Sequence, residues 1–455
     1  MTAVAAGDEP IRPGIAGWLG IIADTLRAAP GAYVRRLAAH RVRTSVLTGL
    51  FIFAIVYPYL NLTIFQPLIR SGVPLPVPDD TTATFMLIFA TMAIGLNIVA
   101  GFAGLLDLGY VAFYALGAYT AAFFASPHWG SISFILFSNL PAGYPGIHLP
   151  FFIIVPLGAL IAAAFGVLLG APTLRLRGDY LAIVTLGFGE ITPVVFKNLV
   201  GVNFELGPIK LVNANLTGGN VGINPIDPPS FLGIDFGATS GIAAVYLGMV
   251  IVAMAFFVAR NLERSRMGRA WMAIREDELA AEMMGINTVR TKLLAFGLGA
   301  SFAGVAGTLQ ASYLGATSSD FFEFSVSILV LIMIILGGIG NIWGVFAGAL
   351  TLVFVDKTFL PWLAQRIQAF DPTLPNATEY NFLIFGIILV VMMRFRPEGF
   401  IPSRQRAAEL HHAPPGQAIA SAATLGDEAV KSEATSDAIA EVQEQADEAD
   451  KRIDP

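Results

Sequence analysis

The chain has 455 residues, of which 55% are hydrophobic and only 13% charged, and its mean hydropathy is +0.68. Soluble domains carry about 25% charged residues, and here no Asp, Glu, Lys or Arg occurs between Asp107 and Arg175, so a soluble fold is excluded. The net charge of −6 comes mostly from the C-terminal tail, and the absence of cysteine excludes disulfides, thiolate metal sites and Cys nucleophiles. Lipid leaves no water for unpaired backbone groups, which makes an all-α polytopic helical bundle the expected fold. The five histidines show no ligand spacing with carboxylates, so no metal site is expected.

In chain order, residues 1–45 form a leader. Within it Ile15–Leu37 sets Trp18, Leu19, Ile21, Ile22 and Leu26 against Asp24 and Arg27, a pattern that fits an interfacial helix or a soft leader. No secretory signal peptide is visible. The membrane domain spans 46–402. Its apolar runs predict about ten spans: Val46–Phe65, Thr82–Ala100, Tyr110–Ser126, Phe151–Gly170, Tyr180–Asn198, Gly241–Ala259, Leu293–Leu314, Phe324–Leu336, Asn341–Lys357 and Tyr380–Met393. Several fall short of the roughly 20 residues that cross a bilayer straight, and these suit broken or re-entrant segments. Glycine is abundant, 46 residues, and clusters in Gly95–Gly117, Gly297–Gly315 and Gly337-Gly-Ile-Gly340. Close helix packing accounts for most of them. Gly101-Phe-Ala-Gly-Leu-Leu-Asp-Leu-Gly109 instead reads as a break in a long apolar run.

Polar groups inside the spans are few. Asp107 lies near one end of a span and Glu190 lies deeper, within Leu186-Gly-Phe-Gly-Glu-Ile-Thr-Pro193. A carboxylate in hydrocarbon costs about 2.5–3.5 kcal/mol on insertion scales, so each should face protein or water. Asn97, Asp107, Tyr110, Thr185 and Glu190 are the candidates for a substrate pathway; for Glu190 a helix–helix hydrogen bond is the competing reading. Pro193 frees the carbonyl of Gly189 and favours a kink.

Two connections stand out. The loop 199–240 is long and rich in Gly, Asn and Pro, with Thr217-Gly-Gly-Asn220 and Asp227-Pro-Pro229, and suits a docking surface. The segment 260–292, RNLERSRMGRAWMAIREDELAAEMMGINTVRTK, is a charged island between apolar runs. Asp277 can cap a short helix, Glu278 suits its positive end, Leu279, Met283 and Ile286 share a face, and Gly285 can end it. That helix is either a partner-binding helix or an ordinary solvated one. Beyond 403 the acidic tail, 403–455, lacks large apolar residues and is expected to be disordered. With the N-terminus inside, all but five of the 27 basic residues (Arg70, Lys197, Lys210, Lys357 and Arg366) fall on the cytoplasmic side, which puts both termini and the island in the cytoplasm. No Gly-x-x-x-x-Gly-Lys-Ser/Thr phosphate loop, metalloprotease helix motif or Ser-x-x-Lys pair occurs, so no enzymatic centre and no cofactor are expected, and ATP, if used, binds on another subunit.

Leu96–Ala121, Leu174–Ile191 with its Arg-Leu-Arg-Gly-Asp-Tyr block, the island, and Leu336–Leu350 (LGGIGNIWGVFAGAL) together resemble the branched-chain amino-acid ABC transporter permeases, most of all the LivM type. The resemblance covers roughly 82–402. It implies a bacterial inner-membrane subunit that pairs with a second, LivH-type permease. It also implies two cytoplasmic ATPases and a periplasmic binding protein as partners. Relatives of this type also move urea, amides or aromatic acids, and an ion-coupled secondary transporter is the rival from another class. The general permease signature is Glu-Ala-Ala, three residues, then Gly. Ala280, Ala281 and Gly285 match it, while Leu279 holds the Glu position and Glu278 stands one residue earlier. The resemblance makes Asp277–Met284 the helix that meets an ATPase.

Overall fold

The computed structural model describes residues 55–70, 75–129, 133–135, 145–173, 179–206, 209–231, 234–371, 377–396 and 398–401. The expected leader helix, the start of the first span, most of the Arg-Leu-Arg-Gly-Asp-Tyr block and the tail lie outside these residues. The chain divides into two units at Val73/Pro74. In the first, α1 (Ile55–Ile69) is a short apolar helix with a π turn at Asn61–Phe65.

The second unit is a bundle. Helix α2 (Asp80–Phe102) begins where Asp79 is extended and its carboxylate accepts from the Thr82 amide at 2.9 Å, an N-cap. It is α-helical to Leu96 and finishes in a π turn, Asn97–Phe102. A non-helical stretch follows before α3 (Val111–Phe124), so the expected break is present. Then come α4 (Phe151–Thr173), α5 (Asp179–Asn198), which runs through Pro193 without interruption, and α6 (Ile242–Arg264). The island holds α7 (Arg266–Glu276) and α8 (Glu278–Met283). After it come α9 (Thr288–Leu314), α10 (Phe324–Gly337), α11 (Ile342–Phe354), α12 (Leu360–Phe370) and α13 (Asn381–Phe395). A π turn at Val355–Phe359 joins α11 to α12. Among the described residues, eight helical segments are long and apolar enough to cross a membrane, and they coincide with eight of the ten expected spans. The other two expected spans correspond to the shorter apolar helices α1 and α3.

Helices α9, α2 and α3 form the centre: most of their residues are buried, whereas the other long helices each bury less than half of their apolar stretch. Helix α9 lies against α2, α3 and α4. Small residues set these approaches. A Cβ on Gly304 would lie 2.5 Å from the Gly158 carbonyl and 2.6 Å from the Ala162 methyl; on Gly117 it would meet the Gly304 carbonyl at 2.1 Å. Hydroxyls fasten the seam, with Thr308 Oγ1 donating to the Gly117 carbonyl at 3.1 Å. Close approach of this kind replaces the hydrophobic drive that lipid removes.

Short strands occur in the loops. β1 (Ala125–Ser126) pairs antiparallel with β3 (Gly146–His148), and β2 (Ser133–Ile135) pairs parallel with β3. β4 (Val202–Leu206) and β5 (Ile209–Ala214) form a hairpin, as do β6 (Ser230–Phe231) and β7 (Ile234–Asp235). Non-helical backbone must still satisfy its N–H and C=O groups, and strand pairing does so without a helical pattern in the sequence. The loops are also tied together. Asp227 donates its amide to the Ala125 carbonyl at 2.7 Å, Ile226 to Gly315 at 2.8 Å, and Ile223 bridges Thr317. His148, fully buried, pairs with the Asp227 carboxylate at 2.6 Å.

Candidate functional site

The island is anchored, not loose. Ser265 caps α7 by accepting from the Gly268 amide at 3.1 Å. Trp271 is fully buried and its indole N–H donates to the Thr291 carbonyl at 2.7 Å; Ile274, three residues on, is buried on the same side. Asp277 is extended and separates α7 from α8, where its Oδ1 accepts from the amides of Leu279 and Ala280 at 2.9 and 3.0 Å. Gly285 follows with φ +85°, a left-handed turn that closes the helix. Glu278 does more than face the helix dipole: it pairs at 2.6 Å with Lys292, a largely buried amine on α9. Ala281 is buried against this support, while Leu279, Met283 and Met284 are 61%, 85% and 84% exposed. Ile286 is half-buried. Methionines that stay exposed on a helix held from behind make an adaptable apolar contact face.

The break between α2 and α3 lies beside α7. Arg275 Nη1 donates to the Gly101 carbonyl at 2.9 Å. Asn97 Oδ1 accepts from the Gly340 amide at 2.9 Å, joining the π turn to the Gly337–Gly340 turn between α10 and α11. Beyond the π turn, Asp107 accepts from the Gly109 amide at 2.9 Å, Thr185 Oγ1 accepts from the Leu108 amide at 3.1 Å, and Tyr110 donates its hydroxyl to the Gly299 carbonyl at 2.8 Å. Asn97, Asp107, Tyr110 and Thr185 are all buried. Together they clasp the break to α5, α9 and the α10–α11 turn.

Glu190 is placed apart from these four. It is exposed and lines an open cleft of about 680 Å³ between α5, α10 and α13. Pro193, Phe324, Ile328, Ile332, Phe382 and Leu389 make its apolar wall, and Glu323, at the N-cap of α10, supplies a second carboxylate. The cleft thus joins an apolar wall to two acidic groups. Among the described residues no group of three or more His, Asp or Glu side chains is placed to hold a metal.

A family model described as the permease component of branched-chain amino acid transport systems matches residues 80–393. The chain belongs to the branched-chain amino-acid transport permease family. It is 37% identical over 341 residues to the Escherichia coli protein named high-affinity branched-chain amino acid transport system permease protein LivM, covering 70% of this chain and 69% of that one. The corresponding Salmonella typhimurium protein is 35% identical over 377 residues, covering 78% of this chain and 74% of its own. Escherichia coli LivH, a permease protein of the same system, is 31% identical over 137 residues, 30% of this chain and 40% of its own length. No solved structure matches the chain.

The matched stretch contains the island, the break and the cleft, so all three belong to the transport permease itself. Of its sequence-predicted residues, Asp277, Glu278, Leu279, Ala280, Ala281, Met283, Gly285 and Ile286 form or flank one short helix. Sequence reading missed α7, with Trp271 and Arg275. Ser265 ahead of Trp271 and Ile274 is its cap-and-stripe signal, hidden by five arginines between 260 and 275. Lys292 and Glu323 were also missed; both look like ordinary span-end charges in one dimension.

Proposed function

We propose that this permease pairs with a second, LivH-type permease subunit to form the translocation path of an ABC importer for branched-chain amino acids in the bacterial inner membrane. In this reading both termini and the island are cytoplasmic. Two ATPases drive the permease pair, one of them docking on the Leu279, Met283 and Met284 face at α8, and a periplasmic binding protein delivers substrate at the 199–240 loop. ATP binding moves α8, and the spans around it convert the push into alternating access. The observation that carries the reading is the exposed apolar face on a helix braced by Lys292 and Trp271, within a chain of the permease family. A free surface loop has no need of such a brace; a surface that receives force does. The names of the LivM relatives support the substrate class, and the apolar cleft with its carboxylates suits a zwitterion with an aliphatic side chain.

Met283→Asp would bury a charge in the ATPase contact, at a penalty of about 2 kcal/mol or more. The permease should still insert while the ATPase subunits fail to co-purify and leucine uptake is lost. Full co-purification with normal uptake would refute the docking assignment. Uptake driven by an ion gradient and insensitive to vanadate would instead favour a secondary transporter. Identifying the ligand held by the associated binding protein decides between aliphatic amino acids and the urea, amide or aromatic-acid alternatives.

A further inference from the structure

Helix α7 stands between the docking helix α8 and the break that follows α2, and it is fixed at three places. Its start turns sharply from α6, where a Cβ on Gly268 would lie 2.3 Å from the Leu262 carbonyl. Its middle is pinned to α9 by Trp271. Its end reaches the break through Arg275. The break is shaped to receive that side chain. Gly104, at φ +70°, has the Arg275 Cγ 2.7 Å from where a Cβ would stand, so the arginine stem lies on bare backbone. The guanidinium meets the Gly101 carbonyl in the last turn of α2, at the negative end of the helix dipole.

The contact continues beyond the break. Gly101 is so close to the next turn that a Cβ there would lie 2.9 Å from the Gly340 amide, and that amide donates to Asn97 within the same π turn. Gly340 belongs to the turn that ends α10, and the other end of α10 carries Glu323 into the cleft. The π turn that ends α2 departs from the hydrogen-bond register of the helix before it, and π turns are frequent at functional sites.

We propose that Arg275 is the positioning residue that carries displacement of α8 into the π turn of α2 and, through Asn97 and Gly340, into α10 and the cleft. This rests on the ABC-permease reading and adds the route by which ATPase movement reaches the path. Asp277, the single extended residue between α7 and α8, makes the joint short, and the Glu278–Lys292 pair adds a parallel tie to α9. Arg275 is the link from the island to the break, and its removal should separate ATP hydrolysis from transport.

The test uses the assembled importer with its binding protein in proteoliposomes, with leucine as substrate. In Arg275→Gln the ATPase subunits should remain bound and ATP hydrolysis should stay within about twofold of wild type, while leucine uptake per ATP falls at least about tenfold. Arg275→Lys, which keeps a cationic donor, should recover part of the loss. Equal loss of hydrolysis and uptake, or an unchanged uptake-to-hydrolysis ratio, would overturn the proposal and leave Arg275 as a brace. The chain has no cysteine, so a single Cys at Leu106, exposed in the break, can carry a fluorophore. ATP binding should shift its signal in the otherwise wild-type complex, and a signal indifferent to ATP there would equally overturn the proposal, whether or not Arg275→Gln assembles. A wild-type permease that binds no ATPase would refute the ABC reading itself, which keeps the two failures apart.

Discussion

Glu190 is where charge and shape can be separated with one substitution. It lines the cleft from an otherwise apolar helix face, where Ile191 and Val194 are exposed beside it. Glutamine keeps the shape and most of the hydrogen-bonding capacity and removes the charge. If the carboxylate meets the ammonium group in transit, Glu190→Gln should cut uptake at least tenfold, about 1.4 kcal/mol of barrier, with assembly unchanged. Normal uptake in this variant, combined with failed assembly of Glu190→Ala, would make the residue structural. At the other polar cluster, burial pushes the Asp227 carboxyl above the ordinary carboxylate range, opposed by the hydrogen bond and charge of His148. A raised carboxyl favours its protonated form. Its contribution to stability is therefore fullest below the ordinary carboxylate pKa and is lost as pH rises through the raised one. Asp227→Asn can still bond His148 and does not titrate. Protease resistance of the loops should fall less between pH 4 and pH 7, a range of about three units around the carboxylate values, than it does in wild type. Identical slopes would count against this account.

Among the elements, α9 shows how packing decides the effect of a glycine. At Gly304 a side chain would collide with the Gly158 backbone and Ala162 on α4, neither of which can swing aside. Gly304→Val should lower stability by about 1–3 kcal/mol or more through overpacking, read as a drop in the detergent-unfolding midpoint. Gly187 on α5 has nothing within 4 Å of its Cβ position. Gly187→Ala should leave stability unchanged or raise it by up to about 1 kcal/mol through helix propensity, and a fall in midpoint comparable to that of Gly304→Val would contradict the packing argument. In α7, Trp271→Phe removes the indole N–H that ties α7 to the Thr291 carbonyl of α9, a loss of about 0.5–1.5 kcal/mol for the hydrogen bond, localised to the island.

For the molecule as a whole, the island and the 199–240 loop lie at opposite ends of the spanning helices that lead into them: α6 enters the island at Arg264 and leaves the loop at Ile242. The excess of Arg and Lys on the island side predicts that side to be cytoplasmic. A topology reporter fused at Ser265 should read cytoplasmic and one at Asn220 periplasmic. The same reading from both positions would require a different number of crossings between them and would remove the loop from any role in docking a binding protein.

Much of this architecture is legible in one dimension because it depends on local chemistry. Apolar length locates the helices, Gly101–Gly109 announces the break, and Asp277 with Gly285 brackets α8, since caps and terminators act within a few residues of themselves. The strand pairs in the loops were not legible, because short pairings are specified by partners and leave little pattern behind. What only the tertiary structure decided is which distant groups meet. Arg275 bonds Gly101 across 174 positions, Tyr110 bonds Gly299 across 189, and Asn97 receives Gly340 across 243. Tyr110 reaches Gly299 because the glycine-lined faces of α3 and α9 approach closely, a distance set by backbone contact between helices far apart in the chain. The sequence by itself determined that the chain is a membrane-spanning bundle with a broken helix and a capped helix in its island. Packing decided that the break, the island and the foot of α10 are one connected structure.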